Sequence, residues 1–78
     1  MKLKIVSPER IEFEGMVQSV LVPGVLGQFE ILENHAPIIS SLNKGTVVYA
    51  VDNEKHSLDI QAGFVSVKQN EVNICIEV

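Results

Sequence analysis

Apolar and polar residues alternate with a period of two through most of this chain. Lys2-Leu3-Lys4-Ile5 alternates, and so does Ile11-Glu12-Phe13-Glu14. Val65 and Val67 alternate with Ser66 and Lys68, and Val72, Ile74, Ile76 and Val78 alternate with Asn73, Cys75 and Glu77. A strand that buries one face and wets the other reads this way. Val20-Leu21-Val22 and Thr46–Val51 are apolar at both parities. They predict strands covered on both sides, with one face in the core and the other under a loop or a partner. No segment sustains a helical period. Turn-forming residues recur about every eight to ten positions, the spacing of short antiparallel strands in a sandwich. They fall at Ser7-Pro8, Glu14-Gly15, Pro23-Gly24, Asn34 to Pro37, Asn43 to Gly45, Asp52-Asn53, Ala62-Gly63 and Gln69-Asn70. Asp52-Asn53, joining Thr46–Val51 to Lys55–Gln61, is the clearest hairpin, because both residue types tolerate left-handed backbone. The expected fold is all-β, a flattened sandwich or barrel of short, mostly antiparallel strands.

Residues 22 to 37, VPGVLGQFEILENHAP, interrupt that rhythm. Gly24 and Gly27 permit positive φ or close approach of a neighbour. Pro23 and Pro37 fix φ and push Val22 and Ala36 toward extended backbone. The stretch reads as loop, short strand over Gln28–Leu32, and loop. It carries no Lys or Arg and is too apolar for a freely solvated connection. Val25, Leu26 and Phe29 are large apolar residues in or beside the predicted loop, a composition that often marks an interface. For Phe29 and Ile31 the competing expectation is that both point into the core. His35 either locks the surrounding loop through backbone hydrogen bonds or meets a partner directly.

Composition narrows the classes. The 78 residues predict a single domain. A chain of this size buries only roughly 60% of its unfolded surface, so its stability margin is modest. Hydrophobic residues make up 46%, ample for a core and contrary to disorder. The net charge is −4, and Lys2, Lys4, Arg10, Lys44, Lys55 and Lys68 are scattered. Nucleic-acid binding and docking to anionic lipid are therefore not expected. Cys75 is the sole cysteine, so no intrachain disulfide forms, which suits a reducing compartment. No apolar run approaches the ~20 residues that span a bilayer. The start, MKLKIVSPER, lacks the apolar core and cleavage site of a signal peptide. These features predict a soluble, cytosolic chain without membrane insertion.

Reactive chemistry finds little support. His35, His56 and Cys75 have none of the close spacings of metal ligands. Ser40, His35 and Asp59 offer the residue types of a hydrolytic triad without any nucleophile-elbow context. Gly24-Val25-Leu26-Gly27 lacks the Lys and Ser/Thr of a phosphate loop, and no helix follows. Neither a metal nor a cofactor is expected, and the chain reads as non-catalytic.

The segment from Val22 to Pro37 resembles the V-x-G-x-x-G-x-x-x-I-L-x-x-H-A-P signature of epsilon subunits of F-type ATP synthases. Leu42 with Lys44-Gly45-Thr46-Val47 resembles the element that follows it. Ala62-Gly63-Phe64-Val65-Ser66-Val67 resembles the G-G-F-x-x-V element, and Asn70-Glu71-Val72-Asn73-Ile74 the end strand. The likeness covers the chain in order. It implies a ten-stranded β-sandwich at the foot of the central stalk, one side on the gamma subunit and the lower end on the ring of c subunits. Such a subunit attaches gamma to the c-ring and transmits ion-driven rotation, in a hetero-oligomeric complex at the cytoplasmic face of the cell membrane. Carried over by position, Ser7, His35 and Ser40 would lie toward gamma. Val25, Leu26, Gly27, Gln28, Phe29 and Glu30 would lie toward the c-ring. The family often has an acidic residue where Gln28 stands, so Glu30 is the candidate to replace that charge. Most members continue into a two-helix hairpin that regulates hydrolysis and in some binds ATP, whereas this sequence stops at Val78. That departure leaves two readings, a naturally short subunit or one cut to its sandwich. In either case the expectation is coupling without hairpin inhibition or ATP binding. Two rivals remain open. One is a biotinyl or lipoyl carrier domain with Lys55 as the attachment site, though Glu54 and His56 are unlike the usual flanks. The other is a generic β-sandwich adaptor.

Overall fold

A computed structural model describes all 78 residues. Nine strands follow one another: β1 (Lys2–Val6), β2 (Ile11–Met16), β3 (Ser19–Gly24), β4 (Gly27–Leu32), β5 (Ile38–Leu42), β6 (Gly45–Val51), β7 (Glu54–Ile60), β8 (Ala62–Lys68) and β9 (Glu71–Glu77). Their hydrogen-bonded order is β2-β1-β9-β8-β5-β3-β6-β7, with β4 paired to β3. β5 meets β3 through one pair, Gly24 opposite Leu42. The sheet folds over at that junction into two layers, β2-β1-β9-β8-β5 and β4-β3-β6-β7. Every pairing is antiparallel except β1 with β9.

The count is nine, not the ten that the family likeness implied. The longer segments outside the strands, residues 7–10 and 33–37, each contain a proline, which has no N–H to give a ladder. Each is also closed locally, Ser7 N–H donating to the Arg10 carbonyl at 2.9 Å and His35 N–H to that of Leu32 at 3.2 Å.

The period-two segments behave as their pattern requires. Leu3, Ile5, Val65, Val67, Val72, Ile74 and Ile76 are buried. They join Val20, Val22, Ile31, Leu42, Val47 and Ile60 in one core between the layers. Val78, grouped with them by parity, is exposed because it lies beyond the last ladder pair. Phe13 of β2 reaches Tyr49 of β6 across the layers, ring centroids 4.4 Å apart. Asp52-Asn53 forms the expected two-residue turn at φ 50° and 67°, and Gln69-Asn70 forms a second at 52° and 61°.

Three expected turns are displaced. Glu14-Gly15 stays in the ladder opposite Lys4 and Leu3, and the chain reverses at Val17-Gln18. There Val17 N–H donates to the Met1 carbonyl and Gln18 N–H to that of Ala50, both at 2.8 Å. Pro23-Gly24 closes β3, leaving the turn to Val25-Leu26. Ala62-Gly63 opens β8, so Gln61 alone carries the chain from one layer to the other. β5 had no advance signal. Ile38-Ile39-Ser40-Ser41-Leu42 does not alternate, and its pairing with β8 makes it a strand.

Candidate docking surfaces

The five-stranded layer turns its other face outward. Ladder registers align Ser41 of β5, Phe64 of β8, Cys75 of β9, Val6 of β1 and Ile11 of β2 in one row across it. Such a face in water is normally polar. This row is apolar over four strands, with Phe64 48% and Ile11 53% exposed. The neighbouring row runs Ile39, Ser66, Asn73, Lys4 and Glu14. Its β5 member, Ile39, is 80% exposed. Beyond it stand Lys68, Glu71 and Lys2, where Lys2 Nζ lies 3.7 Å from Glu14. The face therefore grades from apolar to charged, with exposed Met16, opposite Lys2, the apolar member of the charged end. Two shallow hollows mark its apolar part, one lined by Val6, Ser7, Pro8, Phe64 and Cys75, the other by Pro37, Ile39, Ser66 and Lys68.

Ser7 is at the rim of this face, and its hydroxyl is already engaged. It donates to Glu12 Oε2 at 3.0 Å and accepts from Arg10 N–H at 3.3 Å. Arg10 forks onto the same carboxylate through Nε at 3.1 Å and Nη2 at 3.3 Å. The Arg10 hydrogen bond first, then that of Ser7, hold the Glu12 carboxyl below its ordinary pKa. The same hydrogen bond to Glu12 holds the Arg10 guanidinium above its own.

His35 is half-buried in the segment leading to β5. Its Nδ1–H donates to the Ala36 carbonyl at 2.7 Å, so the loop-locking expectation holds for one ring nitrogen. Asn34, at φ 64°, turns the chain just before it. Ser40 comes from the same strand as Ile39 but alternates with it, in register with buried Val65. Its hydroxyl donates to the Ser41 carbonyl at 3.1 Å. Ser7 and the His35–Pro37 approach thus border the outer face, while Ser40 takes the other side of β5.

The second surface is the tip of the β3–β4 hairpin. Leu26 is fully exposed at 101%, and Val25, Gly27, Gln28 and Glu30 are exposed beside it. Gly27 takes φ 128°, which only glycine adopts without strain. Gly24, also expected to permit positive φ, instead provides close approach. A Cβ there would stand 2.8 Å from the ring of Phe29. Phe29 is half-buried and packs on the core, and Ile31 is wholly buried, so the core expectation holds for both. Val25 N–H donates to the Ser41 carbonyl at 3.2 Å and Asn43 N–H to that of Pro23 at 2.8 Å. These bonds fasten the hairpin tip to the end of β5.

Residues 1–78 match the family described as ATP synthase, Delta/Epsilon chain, beta-sandwich domain. The chain belongs to this family. Among relatives of this delta/epsilon sandwich, an ATP synthase epsilon chain of Chlorobium limicola is 38% identical over 77 residues, covering 97% of this chain and 88% of that one. One from Leptospira interrogans is 38% identical over 74 residues, covering 95% of this chain and 58% of that one. The sandwich thus spans little more than half of the Leptospira relative. Solved structures share its fold. A chain in the Euglena gracilis mitochondrial ATP synthase, in an assembly of OSCP, F1 and c-ring, superposes with a TM-score of 0.89 at 18% identity, covering 95% of this chain and 48% of that one. One in the Tetrahymena thermophila mitochondrial ATP synthase central stalk and c-ring does so at 0.83 and 15% identity, covering 99% and 63%.

The carrier-domain rival loses its geometry. Lys55 is not at a hairpin tip but inside β7, opposite Ala50. No three His, Cys, Asp or Glu side chains gather as a metal site, and Ser40, His35 and Asp59 belong to separate elements. No helix is long and apolar enough to cross a membrane. The outer row is what sequence reading missed. The parity of Phe64 with Ser66 and Lys68 was a signal for its outward direction, but its alignment with Cys75, Val6 and Ile11 had none.

Proposed function

We propose that this chain is the sandwich of a non-catalytic rotor-stalk subunit of an F-type ATP synthase. It attaches gamma to the c-ring and passes ion-driven rotation toward ATP synthesis, as a peripheral component on the cytoplasmic face of the membrane. The observation that carries this reading is the apolar row Phe64-Cys75-Val6-Ile11 on the outside of the five-stranded layer, with Ile39 exposed beside it. A solvent-facing sheet gains nothing from such a row, whereas a broad apolar partner buries it. Gamma is that partner, with Ser7 and His35 at the rim of the contact and Ser40 supporting β5 beneath it.

The c-ring contact in this reading is the hairpin tip. Val25, Leu26, Gly27, Gln28 and Glu30 present the contact, and Phe29 anchors it from the core side. Torque passes through a contact only if both its sides are stiff, and the hydrogen bonds from Val25 and Asn43 supply that stiffness here. Glu30 takes the acidic role that Gln28 does not fill.

The test is co-purification of the chain with gamma from the same organism, followed by sedimentation. A one-to-one complex is the expected result, and Phe64→Asp, at a half-exposed position, should abolish it. Two separate species would overturn the gamma assignment.

A further inference from the structure

We propose that Asn70 is the positioning residue of the His35 loop, holding it in the shape that a partner binds, a role that rests on the reading of His35 as a partner contact. Asn70 lies 35 residues from His35 in sequence, in the turn between β8 and β9, at φ 61°. Its backbone carbonyl accepts from Lys2 N–H at 3.1 Å, tying the turn to the start of β1. Its side chain reaches the other way. The Oδ1 accepts the Asn34 backbone N–H at 2.9 Å, and Nδ2 donates to Glu33 Oε1 at 3.4 Å. One amide thus bridges the two residues that precede His35.

The geometry around it gives this bridge its consequence. Asn34 is itself left-handed at φ 64°, so the chain direction at His35 depends on a backbone state that the sequence only permits. The Asn70 bond fixes that state from outside the loop. Downstream, the His35 Nδ1–H bond to Ala36 fixes the ring. The other ring nitrogen, Nε2, makes no hydrogen bond within the chain and is left for a partner. Pro37 then leads into β5 and the outer face. A loop held this way meets its partner without first being ordered, so loss of the hold lowers affinity through the competent fraction.

Asn70→Gly is the decisive variant. Glycine accepts φ 61° freely, so the β8–β9 turn survives while the bridging amide is gone. Amide exchange by NMR in the isolated chain is the first readout. Exchange at Asn34 and His35 should rise about fivefold, the worth of one net hydrogen bond. Amides of the Lys68–Glu71 pair should stay protected, and Asn70→Asp, which keeps the acceptor for Asn34 but sets a second carboxylate beside Glu33, should restore part of the slow exchange at Asn34. Unchanged exchange at Asn34, or a rise shared by all amides, would overturn the positioning role.

Binding to gamma is the second readout. Asn70→Gly should weaken it about three- to tenfold, and the Asn70→Gly, His35→Ala pair should bind no more weakly than His35→Ala alone, because the two act through one contact. Additive losses would overturn the idea that Asn70 acts through His35. Failure of the unaltered chain to bind gamma would overturn the interface half and leave the loop half decided by exchange alone.

Discussion

Ile31 illustrates how single residues are bound to this fold. It lies in a short strand between two loop segments, has no exposed surface and belongs to the central cluster. Ile31→Ala should cost about 2–5 kcal/mol, lost transfer energy plus a cavity between layers with little room to collapse. Chemical denaturation would measure this as a lower midpoint with an unchanged slope. Five residues away, Leu26 behaves in the opposite way. Leu26→Ser should change stability by less than about 0.5 kcal/mol, since a fully exposed side chain has no packing to lose. Its effect should appear instead in the proposed c-ring contact, as weaker capture of the ring. Glu12 adds a pH dependence. Its folded pKa is depressed, by Arg10 first and Ser7 second, so its stabilisation is present above the ordinary carboxylate range and is lost as pH falls through the folded value. Unfolding midpoints on the acid side should therefore fall less steeply in Glu12→Gln than in the unaltered chain.

At the scale of elements, turns and ladder registers decide the outcome. The two left-handed pairs, Asp52-Asn53 and Gln69-Asn70, have φ between 50° and 67° at every position. Gln69 is the residue least suited to it, because glutamine has no short side chain to satisfy the local backbone. Gln69→Asn should raise stability by about 0.5 kcal/mol, a fraction of the left-handed penalty, seen as a higher thermal midpoint. The alternating strands were legible in advance because parity is a local property of a few consecutive residues. β5 was not, because Ile-Ile-Ser-Ser-Leu carries no period and takes its conformation from β8. The turns at Val17-Gln18 and Val25-Leu26 were misplaced for a related reason. Gly15 and Pro23 are turn formers by propensity, but hydrogen bonds from Val17 to Met1 and from Asn43 to Pro23 hold them in or beside ladders.

The whole molecule is two thin layers around one core, and its proposed function concerns the surfaces left outside. The outer row needs β5, β8, β9, β1 and β2 together, elements drawn from both ends of the chain. Phe64→Asp should leave the thermal midpoint within a few degrees while abolishing sedimentation with gamma, because the side chain is half exposed in the free chain and central in the proposed contact. A parallel fall of midpoint and binding would mean that Phe64 supports the fold instead.

By itself the sequence determined the all-β class, the inward parity of Leu3, Ile5, Val65, Val67, Val72, Ile74 and Ile76, the Asp52-Asn53 turn and the family. Each of these is written in neighbouring residues or in an ordered series of short motifs. Only the tertiary structure decided that there are nine strands, that β1 and β9 run parallel, and that Phe64, Cys75, Val6 and Ile11 share a row. It also decided that Asn70 reaches the loop of His35. These are matters of register between segments far apart in the chain. A period of two says which way a side chain points, but not which distant residue stands beside it. That choice is made when the layers close on a common core and every strand slides to the position that fills it.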